Sequence, residues 1–315
     1  MPGLFSKIID PRYPATAIGL EKGVATVVHL ERGSGQTCRI RSAATIEIQD
    51  TLIRPNFDEQ NIDNVPQLAA VLRELASSAG LLRQKQWSIS LPEATTRTLV
   101  LTLEVQPQSA SELQEVLRWK MERTFGVPVE ELSISKEKLQ KDVQGRDRYL
   151  AIGIRKAVLA EYEAVIGSLG WRAGLILPRH LGESRWLVRN GSVGDSLLLS
   201  ASNDGFTAVI LRDKHPLIVR TVKCNADERE DELFRLLLFY RDRSMIQDDI
   251  SVHSLSRLMV IGEGLSKQRV GEIVEETTGT EVRPLSPEDL GLNMPGRELS
   301  FDAIAAPAGL ATLAL

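Results

Sequence analysis

The 315-residue chain carries 38 Lys plus Arg against 42 Asp plus Glu, so it is long enough for two lobes and has no net basic charge that points to nucleic acid. Its 43% hydrophobic and 25% charged residues are those of a soluble globular protein, and no apolar run approaches the roughly 20 residues of a membrane helix, Leu233 to Tyr240 being broken by Arg235. Cys38 and Cys224 fit no paired-ligand spacing and read as reduced thiols of a cytoplasmic protein.

Residues 1 to 14, with Pro2, Pro11 and Pro14, read as a lead-in, and Met1 to Lys7 lacks the apolar core of a signal peptide. A strand-turn-strand unit follows: Ala17 to Gly23 turns into Val24 to Leu30. Gly33 to Gln36 is the turn into a third strand, expected over Ala43 to Leu52. Leu68, Val71, Leu72 and Leu75 then mark one face of a helix over Val65 to Ala79, and Trp87 to Leu91 alternates as a strand that Pro92 ends.

A differently built section runs from Glu93 to Pro178. A strand is expected over Thr98 to Glu104, and Ser109 with Glu112 has the form of a capping box opening a helix that Gly126-Val127-Pro128 stops. The charged stretch Lys136 to Arg148 reads as an exposed hairpin with Gly145 at its tip, followed by a strand at Tyr149 to Ile154. An amphipathic helix bearing Val158, Tyr162, Val165 and Leu169 ends at Gly170, and Ala173 to Leu177 completes a β-α-β-β-α-β section that suffices for an inserted subdomain.

After a helix over His180 to Arg189 and a linker over Asn190 to Gly194, the opening arrangement recurs. Leu198 to Gly205 turns into Phe206 to Leu211, then come a strand at Leu217 to Val222, a helix at Glu228 to Arg243 and a strand at Leu258 to Ile261. Two β-β-β-α-β blocks imply related lobes facing a cleft; the alternative is a pair of unrelated hairpins in an ordinary α/β protein. A helix bearing Val270, Ile273 and Val274 closes at Gly279, Glu281 to Leu285 is a further short strand, and Phe301 to Leu315 is an Ala-rich helix expected to pack back on the first lobe. The domains expected are lobe one (1–92, completed by 179–190 and 301–315), the inserted unit (93–178) and lobe two (191–300).

Facing glycine turns would let backbone N–H groups hold phosphates, with Gly262-Glu263-Gly264 as a third contact, although a lone G-x-G also fits ordinary strand-helix joints. No phosphate-loop lysine motif, nucleophile elbow or His pair at metal spacing is present, so no catalytic or metal residue is assigned. His29, His180, His215 and His253 are scattered and read as surface or satisfied core residues, Asp248 and Asp249 as a solvated loop, and Asp227 to Glu232 as an acidic helix start.

Several of these stretches resemble the PilM family, actin-like components of type IV pilus machinery, and more distantly FtsA. They are Leu4 to Lys7, Ser88 to Pro92, Glu112 to Glu130, Tyr149 to Gly174, Arg220 to Val222 and Val260 to Gly264. The resemblance implies an α/β, actin-like ATPase fold (a duplicated RNase H-like unit) with an FtsA-type 1C subdomain inserted in lobe one. It also implies a groove on the 1A/1C side for the N-terminal peptide of a bitopic membrane partner, PilN.

Departures from the family pattern fall on the nucleotide loops. Gly19 stands where the first loop has aspartate, Glu21 where it has its second glycine, with Gly23 following; Ser200-Ala201-Ser202 replaces an Asp-x-Gly pattern, with Asn203-Asp204-Gly205 beyond it. The short Val222 to Glu232 segment leaves no room for the subdomain 2B helix whose Glu and Lys residues embrace the adenosine. The expectation is therefore a PilM-like scaffold, cytoplasmic and peripheral at the inner membrane through a PilN-like partner, with a homo-oligomer left open, a degenerate cleft and no cofactor. GspL of type II secretion is a close variant, and the alternative is a working ATPase binding ATP with Mg²⁺.

Overall fold

The structure, a computed structural model, describes residues 13–189, 194–245, 254–296 and 299–315. The Leu4 to Lys7 stretch, most of the linker (Asn190 to Val193), Asp248, Asp249 and His253 lie outside the described residues. The first lobe opens with β1 (Thr16–Glu21), β2 (Val24–Arg32), β3 (Cys38–Glu47), α1 (Val65–Ser78) and β4 (Gln86–Leu91). Then come β5 (Arg97–Thr102), α2 (Ala110–Phe125), β6 (Leu132–Leu139) and β7 (Arg148–Arg155), followed by α3 (Lys156–Ser168), β8 (Arg172–Pro178) and α4 (Arg179–Arg189). The second lobe holds β9 (Asp195–Ser202), β10 (Gly205–Arg212), β11 (His215–Lys223), α5 (Arg229–Met245), β12 (Leu255–Ile261) and α6 (Lys267–Thr278). After it come β13 (Leu292–Asn293) and α7 (Phe301–Ala311).

The six-stranded sheet has the order β13-β3-β2-β1-β4-β8 and the four-stranded sheet β11-β10-β9-β12. Each therefore contains the same third-second-first-fourth arrangement, with two antiparallel hairpins and one parallel pair, β1 with β4 and β9 with β12. The repeat extends beyond the opening block. In the first lobe α3 leads to β8 beside β4; in the second α6 leads to a single parallel bridge of Pro284 with Leu258 beside β12. Strand was expected over Glu281 to Leu285, but Pro284 has no N–H to donate and the ladder stops at one bridge.

Two further expectations shift. Strand β3 starts at Cys38 instead of Ala43 and ends before Ile48, because Cys38 and Ile40 turn inward while Arg39 and Arg41 turn out to meet Glu31 at 2.7 Å each. The strand at Ala173 to Leu177 forms, but it is the edge of the large sheet, paired in parallel with β4. The separate three-stranded sheet, β5-β7-β6, holds only residues from Arg97 to Arg155, and α3 joins α1 against the first lobe through Val158, Tyr162 and Val165.

Apolar residues sort into four clusters. One lies under α1 and α3 on the outer face of the large sheet, a second under α5 and α6 on the four-stranded sheet, and a third, small one joins α2 to the three-stranded sheet. The fourth is central: Ala17, Val28 and Leu30 of one sheet and Leu198, Val209 and Met259 of the other enclose α4 and α7. Because both faces are covered, β9 and β10 read as nearly continuous apolar runs. Helix α7 contacts β1 and β2 of the first lobe, as expected, whereas α4 reaches β9 and β10 of the second as well as β8 and β4 of the first, so each half's last helix packs on the other half's sheet. Glycines permit the crossing: a Cβ on Gly182 would lie 2.5 Å from the Ala306 carbonyl oxygen, and one on Gly309 would lie 1.9 Å from that of Gly182.

Candidate functional site

The tips of the two hairpins, the turn after β12 and the N-terminal ends of α4 and α7 surround a cleft of about 1150 Å³. Each hairpin has a two-residue loop, Lys22-Gly23 between the paired Glu21 and Val24, and Asn203-Asp204 between the paired Ser202 and Gly205. Of the residues singled out in the sequence, Gly19, Glu21, Gly23, Asn203, Asp204, Gly262 and Glu263 line the cleft together. Gly205 and Gly264 do not: Gly205 lies against β11, where a Cβ would meet the Val222 carbonyl oxygen at 2.0 Å, and Gly264 lies against Arg229.

Two arginines reach into this region, each from the first position of a helix. Arg179, at the start of α4, donates from Nε to Glu183 Oε1 at 2.7 Å and lies 3.8 Å from Glu21 Oε1. Its Nη2 faces Gly262, where a Cβ would stand 3.2 Å away. Burial alone would lower the Arg179 pKa, but Glu183 and Glu21 outweigh it and raise it above the ordinary value. Arg229, at the start of α5 and 4% exposed, donates from Nη2 to the carbonyls of Ser202 and Asn203 at 2.8 Å and from Nη1 to that of Glu263 at 3.2 Å. It thus ties the second hairpin to the turn containing Gly262 and Gly264.

Glu93, just past β4, links the lobes. Its carboxylate lies 2.8 Å from His180 Nδ1 on α4 and accepts from Thr207 Oγ1 on β10 at 2.7 Å. Burial raises the Glu93 pKa, but His180, Thr207 and Arg179 together bring it below the ordinary value. Glu21 goes the other way: burial pushes it up to about 7, with Arg179 opposing and Glu183 and Glu93 adding to the rise. On the first hairpin, Gly19 is covered by Pro307 of α7, whose Cγ would lie 3.0 Å from an added Cβ.

No protein-family model matches the sequence and no curated protein matches it significantly. Among solved structures, the fold matches a chain of the PilM-PilN type IV pilus biogenesis complex at TM-score 0.71 and 17% identity, covering 96% of this chain and 98% of that one. A Bacteroides thetaiotaomicron protein with an actin-like ATPase fold and unknown function matches at TM-score 0.50 and 12% identity, covering 98% and 99%. The chain has the actin-like ATPase fold. The cytoplasmic domain of EpsL, an inner-membrane component of the Vibrio cholerae type II secretion system, matches at TM-score 0.47 and 12% identity, covering 95% and 93%.

An actin-like ATPase cleft implies a magnesium nucleotide between the hairpins, and the carboxylates that line this cleft oppose one. The guanidinium of Arg179, which lines the cleft, is already paired with carboxylates. Asp204 and Glu263 line the same space, where they would meet the phosphates with like charge, and Glu21 adds to this once it is ionised.

Sequence reasoning missed Arg179, Arg229, Glu93 and Thr207, and read His180 as an ordinary core or surface residue. His180 is 1% exposed, yet only its Nδ1 has a partner. A signal for the arginines was available: a cation at the first position of a helix opposes the helix dipole, so it needs nearby partners. Arg179 follows Pro178, and Arg229 stands alone in an acidic run.

Proposed function

We propose that the protein is a PilM-like scaffold of a type IV pilus or related secretion machine, in which the actin-like body docks the N-terminal peptide of a PilN-like, bitopic inner-membrane partner and the cleft does not use nucleotide. The observation that carries this reading is the fold correspondence over nearly the whole length of a chain taken from a PilM-PilN complex. Among the described residues no helix is long and apolar enough to cross a membrane, which agrees with a peripheral place at the cytoplasmic face, held by the partner. Docking needs no assigned catalytic residue and no cofactor.

The peptide's proposed seat is on the inserted unit. Where that unit meets the first lobe, the junction is filled: Arg97 stacks on Phe57 at 4.1 Å, and Asp58 pairs with Arg97 at 3.2 Å and Arg155 at 2.9 Å. Beside it a groove of about 460 Å³ runs between α2 and β6, with Met121, Val129 and Ile134 among its lining residues and Arg118 and Lys136 at hand. Strand β6 is an edge of its sheet, so an extended peptide can add to its free backbone groups.

Calorimetry with the N-terminal cytoplasmic peptide of a single-span PilN-like protein tests this. Saturable binding that Ile134→Arg abolishes is expected. Absence of affinity for PilN-like and GspM-like peptides would overturn the docking role, and saturable micromolar binding of ATP with Mg²⁺ would restore the ATPase reading.

A further inference from the structure

We propose that Glu93 and Arg179 close the cleft from within, so that side chains set the lobe-to-lobe geometry that a nucleotide sets in an ATPase, while Arg229 holds the second-lobe wall in shape. The inference rests on the reading of the cleft as one that does not use nucleotide, and assigns the residues that replace the ligand.

Glu93 is the pivot because of where it sits. Strand β4 of the first lobe ends at Leu91, and the inserted unit's first strand begins at Arg97, so Glu93 stands at the junction of the two. Its bond to Thr207 reaches the third residue of β10 in the second lobe, and Thr207 lies 2.9 Å from Thr221 on the next strand. A buried ionised acceptor joined to a hydroxyl and an imidazole is a strong, directional link across an interface. The arginines differ in reach, one standing between the lobes and the other acting within the second. Arg179 carries positive charge between the first hairpin and Gly262, and Arg229 ties the second hairpin to the same turn.

A second tether runs parallel to the first. Arg148 of β7 is 7% exposed and donates from Nη2 to the carbonyls of Pro216 and Leu217 on β11 at 3.0 and 2.8 Å. The inserted unit is thus attached to the second lobe as well as to the first. Closure is built into the resting protein, and a load applied to the inserted unit reaches the cleft through Glu93.

Spin labels at Asp50 and Lys223, exposed on opposite walls of the cleft, measure the closure by pulsed dipolar spectroscopy in a Cys224→Ser background. The otherwise unchanged protein is expected to give one narrow distance, the same with and without ATP and Mg²⁺. Thr207→Val, which keeps the shape and removes only the donor, and Glu93→Gln are each expected to broaden the distribution toward longer distances. They should also speed amide exchange in β10 and β11 on the order of tenfold. If Glu93→Gln does not fold, Thr207→Val still decides. Narrow, unshifted distances in the Thr207→Val variant would overturn the clamp alone. A shorter distance or a raised melting temperature with ATP in the unchanged protein would overturn the reading on which it rests.

Discussion

Thr26 and Thr207 occupy the same place in the two halves of the chain. Thr26 pairs in register with Gly19 on β1 and Thr45 on β3, and Thr207 with Ser200 on β9 and Thr221 on β11; the hydroxyls meet their third-strand threonines at 3.4 and 2.9 Å. This equivalence follows from backbone pairing alone and supports descent of the two lobes from one unit. The copies have since diverged, because only Thr207 donates to a carboxylate across the cleft.

That divergence sets a paired comparison. Valine keeps the β-branched shape at both positions, so the difference between variants reports the hydroxyl. Thr207→Val is expected to cost about 1.5–3 kcal/mol, the range for a hydrogen bond to a charged group, and Thr26→Val less than about 1 kcal/mol. Urea titrations of the two variants check this, with an equal loss at both sites counting against a special role for Thr207.

Substitution in the turn after β12 tests Arg229. At Gly264, with φ of 89°, an added Cβ would stand 1.8 Å from Arg229 Nη1, so Gly264→Ala must displace the guanidinium from the hairpin carbonyls or distort the turn. A loss of roughly 2–4 kcal/mol is expected. Gly279→Ala is the control: φ is 70° there and nothing lies within 4 Å, so only backbone strain of about 1 kcal/mol applies. Thermal unfolding should separate the two clearly.

The cleft carboxylates predict opposing pH effects. Glu21 rises from 4.5 to about 7 on folding, so its contribution is fully present below 4.5 and is lost as pH rises through 7. Glu21→Gln should therefore gain stability relative to the unchanged protein at about pH 8 and show little gain at about pH 4. Glu93 is depressed, so its contribution is present above its ordinary value and is lost as pH falls through the folded value. Glu93→Gln should be costly at neutral pH, with the gap narrowing in acid. Denaturation midpoints across the range measure both, and parallel profiles for the two variants would contradict these signs.

Arg148→Met should loosen the inserted unit from the second lobe without emptying the small core on which α2 rests. The two backbone carbonyls it serves would lose a charged donor, for a cost of about 2 kcal/mol. Hydrogen exchange is expected to quicken along β11 while the amides of α1 are unchanged, which distinguishes local release from general destabilisation.

Local signals carried much of the fold. Two-residue turns between apolar runs located both hairpins, Gly126 stopped α2 at a φ of 73°, and Ser109 capped that helix by accepting from the Glu112 N–H. The capping box itself is offset, because the Glu112 carboxylate takes the N–H of Gln108 at 2.6 Å. What stayed hidden depends on distant partners. Strand β8 looks like the end of its own section, yet its parallel partner β4 lies beyond the whole inserted unit, and no local pattern encodes that pairing. The start of β3 was masked by Arg39 and Arg41, whose charges face outward to Glu31. In the cleft the glycine turns were visible because turns are local, while Glu93 and the two arginines took their meaning only from chain segments brought beside them.

The exchange of last helices between halves bears on how the chain is made. The inner face of the first sheet, with Ala17, Val28 and Leu30, is sealed by Ile304, Ala305 and Ala308, and its outer edge by β13. At ~5–20 residues per second, a ribosome that has finished α4 needs on the order of ten seconds to deliver those residues. During that wait the amino-terminal half is an unfinished body with a greasy flank, a natural customer for a nascent-chain chaperone. A premature stop ahead of residue 301 would consequently ruin the half translated first, leaving little that proteases would spare.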